Sequence, residues 1–133
     1  MNELIKEIPV KTGKRIELID VTGQVQEAVS KSGVKEGICV VYCPHTTAAV
    51  IITENADPSV QHDILKKLNQ LVPENDGYTH SEGNSDSHIK SAVIGNSRTI
   101  LVQSGRLVLG TWEGAMFAEF DGPRRRKLLV FIK

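Results

Sequence analysis

The sequence predicts one α+β domain over residues 1–133, a mainly antiparallel sheet with two or three helices packed on it. Three observations lead to this prediction. The length of 133 residues is typical of one domain. Apolar segments follow in the order strands, helix, strands, helix, strands, and no internal repeat or linker divides the chain.

The first third contains two opening strands and a helix. Leu4 to Ile8 and then Ile16 to Leu18 indicate strands, joined by a turn through residues 9–13. Thr22 is expected to cap a short helix that buries Val25 and Val29 and ends at Gly33.

Two strands and a second helix follow. Segments 38–42 and 48–52 are apolar on both faces, as buried strands are. Asp57 and Pro58 form a helix start, with Asp at the cap and Pro at the first helical position. Apolar residues then recur at helical spacing to residue 72.

The last part begins with a long polar segment, residues 73–87, which is typical of a functional loop. A short helical pattern covers residues 87–94 and stops at Gly95. Strands are predicted over residues 99–103, 112–120 and 128–132.

Composition argues against several partners. Lys plus Arg (16) equals Asp plus Glu (16), so no basic excess favours nucleic acid. No apolar stretch approaches the roughly 20 residues that span a bilayer. The start of the chain lacks an apolar signal segment, and Cys39 and Cys43 have neither redox nor zinc spacing. We therefore expect a cytoplasmic protein with two buried free thiols.

The apolar strands also indicate self-association. Several strands are apolar on both faces, yet only two or three helices are available to cover them. The missing cover could be a partner subunit, which predicts a homo-oligomer.

Three of the four histidines lie among polar residues. His45 sits between two apolar strands, while His80 and His88 flank a segment with Glu82, Asn84 and Asp86. Imidazoles near carboxylates serve as metal ligands or as acid–base groups. They can equally satisfy loop carbonyls or cap the next helix. His62 points away from the apolar helix face and is expected in solvent, and Asp63 borders that face.

Acidic and basic residues alternate near the C-terminus. Period-2 spacing places Glu119 and Asp121 on one strand face, followed by a turn and Arg124 to Lys127. Such a pattern can bind a divalent cation with phosphates, or form ion pairs at a subunit contact. No Walker A loop, GxGxxG, GxSxG or HExxH motif is present.

Several motifs together resemble the YjbQ-like family, whose members are described as secondary thiamine-phosphate synthases. They occur in matching order over nearly the whole chain: His45-Thr46-Thr47-Ala48, residues 54–58, Gly83-Asn84 with His88, residues 105–112, and residues 119–126. The resemblance implies a single α+β domain, a homotrimer and a small phosphorylated substrate. It also implies a divalent metal, Zn or Mg, held by His45, His80 and His88.

The resemblance assigns further roles. Catalytic roles fall to His45, Glu54, Asp63, Trp112 and Glu119, and substrate binding to Thr46, Thr47, Asn84, Asp121, Arg124 and Arg126. Trp112 would be an aromatic wall, and the two arginines would face phosphate from the surface.

The implied reaction joins an aminopyrimidine methyl diphosphate to a thiazole phosphate and releases pyrophosphate. A dissociative mechanism suits it, in which a cation and the arginines hold the leaving group while the thiazole nitrogen attacks. The alternatives are a non-catalytic metal or small-ligand binding protein, and a metal-dependent hydrolase.

Two positions depart from the family pattern. Glu113 follows Trp112 where Gln is common, and Asp86-Ser87 precedes His88 where small apolar residues are frequent. Because both departures add a carboxylate, the net charge of the site is not determined by the family pattern.

Overall fold

Two antiparallel sheets and three helices make up the computed structural model, which describes residues 4–133. Residues 1–3 of the polar start considered above lie outside the described part. The strands are β1 (Ile5–Lys11), β2 (Glu17–Asp20), β3 (Gly37–Tyr42), β4 (Ala48–Glu54), β5 (Ser97–Gln103), β6 (Arg106–Leu107), β7 (Glu113–Glu119) and β8 (Arg125–Ile132). The helices are α1 (Thr22–Ser32), α2 (Pro58–Leu71) and α3 (Ser85–Ile94). The predicted α+β class is confirmed.

The strands divide between a larger and a smaller sheet. The larger sheet has the order β1-β8-β3-β5-β6, and the smaller has β2-β7-β4. Every strand pair in residues 4–133 is antiparallel. A single sheet was predicted, and the split explains why β4 and β7 are apolar on both faces.

The main core lies between the two sheets. Val41 and Val130 of the larger sheet are fully buried in one cluster with Val50 and Phe117 of the smaller sheet. Val25 of α1 belongs to the same cluster. Helix α1 therefore closes this sandwich with the apolar face that the sequence predicts.

Helices α2 and α3 cover the other face of the smaller sheet. Ala49, Ala118 and Phe120 form a second buried cluster, against which Leu68 of α2 and Ile94 of α3 pack. No residue of α2 is fully buried, so this helix lies shallowly on the sheet. None of the helices in residues 4–133 has the length and apolarity to cross a membrane.

Helix starts follow the prediction in one case and differ in the other. Asp57 caps α2 by accepting a hydrogen bond from Ser59 N at 2.9 Å, as predicted. Thr22 does not cap α1, because Val21 holds the N-cap position. Instead the Thr22 hydroxyl donates to Asp20 Oδ1 at 2.6 Å, which ties the helix to the end of β2.

Some element bounds also differ. β1 continues through Pro9 to Lys11 where a turn was predicted, since β1 is an edge strand in which proline is tolerated. The two-residue strand β6 is additional, and α3 begins two residues before the predicted start at Ser87.

The outer face of the larger sheet has no cover within residues 4–133. Ile38, Tyr42 and Leu101 project from it and are exposed, Leu101 to 60%. The predicted homo-oligomer depends on this exposed surface, and self-association stays a prediction.

Candidate functional site

A polar cleft lies at one end of the sandwich, where β3 and β7 end and β4 and β8 begin. Its volume is about 350 Å³. The lining residues are Pro44, His45, Thr46, Thr47, Glu82, Asn84, His88, Asp121, Arg124 and Arg126. A second depression shares His45, Thr46 and His88 and continues along α3 to Asn96. We call this end of the molecule the His end.

A buried ion pair supports the cleft from below. Arg126 of β8 binds Glu119 of β7 through two hydrogen bonds, Nη2 to Oε1 at 2.6 Å and Nε to Oε2 at 2.8 Å. Thr12 donates to the same carboxylate at 3.0 Å, and the Thr47 hydroxyl accepts from Arg126 Nη2 at 2.8 Å. The expectation that both arginines lie at the surface is therefore wrong for Arg126, which is buried.

The protonation of Glu119 follows from these contacts. Burial by itself would raise the pKa of this carboxyl group. Hydrogen bonds from Arg126 and from the Asp121 backbone, with the Arg126 charge, outweigh burial and lower the pKa below its ordinary value of 4.5. Glu119 is thus a carboxylate that orients Arg126, and it does not itself line the cleft.

The turn after β7 carries the exposed part of the cleft. Arg124 Nη2 binds Asp121 Oδ2 at 2.7 Å, and Asn84 Nδ2 donates to the same oxygen at 2.8 Å. Glu119 and Asp121 were predicted to share one strand face, and this is wrong: β7 ends at Glu119, so Asp121 lies in the turn. A side chain at Gly122 would overlap the backbone of Lys14, which fixes glycine at this position.

Asn84 has one unused group. Its Oδ1 is buried and has no hydrogen-bond partner, the sole such side-chain atom in residues 4–133. A buried acceptor of this kind costs stability unless a donor reaches it. The amide therefore favours a ligand that presents an N–H or O–H group.

His45 is held by backbone and by an aromatic ring. Its Nε2 lies 3.0 Å from both the backbone nitrogen and the backbone oxygen of Lys127, and its ring meets Phe117 edge to face. Burial, aided by the charges of Arg126 and Lys127, lowers the pKa of His45 below 6.5. His45 is therefore neutral at pH 7, and Lys127 occupies only one of its ring nitrogens.

His80 and His88 lie close together. Their ring centroids are 5.4 Å apart at 88°, and Glu82 Oε2 is 3.8 Å from His80 Nε2. His88 lines the same cleft as His45, whereas His80 does not. Between residues 4 and 133 no group of three or more His, Cys, Asp or Glu side chains is arranged to hold a metal ion. The three imidazoles of one chain thus do not make a complete metal site.

A second buried charge network fixes α3, and sequence reasoning missed it. Asp86 is fully buried, where it accepts hydrogen bonds from Arg15 at 3.0 Å and Lys90 at 2.9 Å. Ser87 donates to the backbone oxygen of Phe120 at 2.5 Å. The two polar residues that depart from the family pattern therefore point inward and place His88 at the cleft. The i, i+4 spacing of Asp86 and Lys90 was the available signal.

Three of the residues predicted for the site lie in other parts of the structure, away from the cleft. Glu54 and Trp112 are at the far end of β4 and β7, which we call the Trp end. The seven residues of β7 separate the two ends by about 20 Å. Asp63 lies on α2 with its side chain 78% exposed, 3.5 Å from the equally exposed His62. His62 is outside the cleft, as expected.

Known proteins are similar to this chain in sequence and in fold. The sequence model described as UPF0047 protein YjbQ-like matches residues 6–133. A UPF0047 protein of Methanocaldococcus jannaschii is 57% identical over 92% of this chain and 89% of its own length. UPF0047 protein YugU of Bacillus subtilis is 45% identical over 96% of this chain and 97% of its own.

Two crystal structures agree with the fold. A YjbQ/UPF0047 family protein of Clostridium acetobutylicum has a TM-score of 0.95 at 49% identity, covering 96% of this chain and 99% of that one. A protein of unknown function from Sulfolobus solfataricus has a TM-score of 0.93 at 34% identity, covering 96% and 94%.

Proposed function

The chain belongs to the UPF0047 YjbQ-like family, and on that premise we propose that it binds a small phosphorylated molecule in the cleft at the His end. One observation carries the proposal. A single cleft combines two guanidinium groups, Arg124 and Arg126, with two imidazoles, His45 and His88.

The arginines retain donors for an anion. Arg126 uses Nε and Nη2 on Glu119 and Thr47, and its Nη1 has no partner between residues 4 and 133. Arg124 is half exposed and uses Nε and Nη2 on Asp121. The carboxylates thus orient each guanidinium and leave an N–H edge, which suits phosphate oxygens.

His45 would contribute a positioned hydrogen bond to the ligand. It is neutral at pH 7, and the Lys127 backbone occupies only one of its ring nitrogens, so the other can form a hydrogen bond with a ligand. Its ring is fixed by the Lys127 backbone and Phe117, so it would need no reorganisation when a ligand binds.

As the specific reaction we propose transfer of the thiamine-phosphate synthase type. The bond between the pyrimidine methylene carbon and the diphosphate oxygen breaks, and pyrophosphate leaves with the electron pair. The thiazole nitrogen then forms the new bond to that carbon. Arg124 and Arg126 would hold the leaving pyrophosphate, and Asn84 Oδ1 would accept a hydrogen bond from the aminopyrimidine.

A second candidate function is binding of a metal ion without catalysis. The observation that favours it is the His80–His88 pair, whose spacing allows both rings to approach one ion. Glu82 lies 3.8 Å from His80, but residues 4–133 contain no group of three such side chains arranged to hold an ion, so Zn²⁺ or Mg²⁺ would need water or a second chain to complete its ligands. No step of the proposed reaction depends on the metal.

We also propose that the protein is a homotrimer in the cytoplasm. The exposed apolar face with Ile38, Tyr42 and Leu101 supports self-association. Two free, buried cysteines agree with a reducing compartment. Light scattering at micromolar concentration tests the assembly directly, and a monomer mass would refute it.

Thermal-shift measurements separate the two candidate functions. The transferase predicts that pyrophosphate and thiamine phosphate each raise the melting temperature without added metal. A ligand at about 100 times its Kd stabilises by about 2.7 kcal/mol, which is readily detected. The metal-binding alternative predicts a shift with Zn²⁺ alone. If neither pyrophosphate nor thiamine phosphate raises the melting temperature, the proposed function is contradicted.

A further inference from the structure

The cleft of one chain lacks an apolar wall. Its lining consists of imidazole, hydroxyl, amide, carboxylate and guanidinium groups, and Pro44 is its single sizeable apolar residue. Sites for small molecules are lined mainly by apolar and aromatic side chains, with a few polar groups that fix orientation. One side of a usual ligand site is therefore missing.

The opposite end carries an aromatic side chain without a partner. Trp112 is the sole tryptophan, and it is 62% exposed. Its backbone is nevertheless fixed, because Trp112 O accepts from Asn55 N at 3.0 Å and Glu113 N donates to Gly110 O at 3.0 Å. Tryptophan is enriched among the residues that dominate interface energy. A rigid turn that presents one to solvent is suited to contact another molecule.

The charges of the two ends are complementary. The Trp end carries the acidic residues Asp20, Glu54, Asp57 and Glu113, and segments 53–57 and 108–114 contain no Lys or Arg. The cleft instead is lined by the guanidinium groups of Arg124 and Arg126, and the exposed Lys127 follows directly in β8. Opposite charges of this kind orient two copies so that unlike ends meet.

We propose that the Trp end of a second copy of this chain covers the cleft at the His end of the first, and that its Trp112 forms the missing apolar wall. Within one chain this is impossible, since the seven residues of β7 hold the two ends about 20 Å apart. The contact generates an antiparallel dimer or a closed ring, and either gives every cleft one tryptophan. The inference rests on the proposed ligand site.

Cross-linking tests the contact. Thr46 at the cleft and Thr111 beside Trp112 are both exposed, so Thr46→Cys and Thr111→Cys should fold normally. The native Cys39 and Cys43 will not interfere, because burial raises the pKa of each thiol to about 11. With a short bis-maleimide, the double variant should give covalently linked copies while each single variant stays largely unlinked. Equal linking in a single variant, or none in the double, would overturn the proposal.

The unmodified protein provides a second readout. Because Trp112 is the single tryptophan, its emission reports on one position. It should be protected from iodide quenching in the assembly and become several-fold more accessible on dilution to single chains. Full accessibility at every concentration would overturn the proposal.

Ligand titrations distinguish this inference from the proposed function. Trp112→Ala should weaken the binding of thiamine phosphate, which has rings to stack, by about tenfold. The binding of pyrophosphate should weaken much less. If copies cross-link but wild type binds neither probe, the proposed function fails and the contact stands. If both probes bind wild type and Trp112→Ala equally, the wall is refuted and the phosphate site stands.

Discussion

The His end and the Trp end both carry carboxylates beside β4 and β7, but they hold them in different ways. Glu119 at the His end is fully buried and is bound by Arg126 and by Thr12, which is 107 residues away. Among residues 4–133, Glu54 at the Trp end accepts hydrogen bonds only from the backbone of Ala56 and Asp57, within three residues of itself.

The His end is held together by tertiary contacts, whereas the Trp end is held by local ones. At the His end, distant segments must come together before Arg126 and Thr47 reach their positions. At the Trp end, short turns fix the backbone and leave Trp112 open to solvent. We infer that the first end is a preformed site and the second a contact surface.

The largest effect is expected for Glu119→Gln. The substitution leaves the buried Arg126 guanidinium without its counter-charge, and breaking a buried pair in this way costs about 3–5 kcal/mol. Urea denaturation should show a loss of that size in the free energy of unfolding. A loss below about 1 kcal/mol would mean that the pair is not buried in solution.

The second-largest effect is expected from acid, which should lower the free energy of unfolding by protonating buried carboxylates near the His end. The pKa of Glu119 is lowered, and so is that of Asp86, where the hydrogen bonds from Arg15 and Lys90 outweigh burial. Because both folded pKa values lie below the unfolded ones, their contribution is complete above the ordinary values of 4.5 and 3.8 and is lost as pH falls through the folded values. Wild-type stability should therefore decline below about pH 4.5, and Glu119→Gln should flatten that decline. An unchanged slope in the variant would contradict the assignment.

The smallest effect is expected at the Trp end. Glu54→Gln keeps a side-chain oxygen for the backbone N–H groups of Ala56 and Asp57 and removes only the charge, so the free energy of unfolding should change by at most about 1 kcal/mol. The same urea experiment measures it beside Glu119→Gln. Similar losses in both variants would remove the distinction between the two ends.

The sequence predicted the fold class and most elements because periodicity and capping are local signals. The Asp57-Pro58 start of α2 and the apolar face of α1 needed no tertiary information. The division into two sheets was not predicted, because segments 38–42 and 48–52 look alike as apolar strands, although β3 and β4 belong to different sheets.

The site was predicted less completely, for physical reasons. Arg126 was expected at the surface because isolated charges stay in water, and the burial of Asp86 was not foreseen; only partners across the fold make either burial possible. Trp112 and Glu54 were grouped with His45 by motif, and motif order contains no distances. The length of β7 places them at the other end.

Calorimetric titration of pyrophosphate into wild type, Arg124→Ala and Arg125→Ala tests the central claim, a specific phosphate site at the His end. Arg124 lines the cleft, while Arg125 does not. We predict that Arg124→Ala loses about 1.5–3 kcal/mol of binding free energy, the range for hydrogen bonds to charged groups, and that Arg125→Ala binds like wild type. Equal losses at both positions would indicate diffuse electrostatics and contradict a site formed by the cleft.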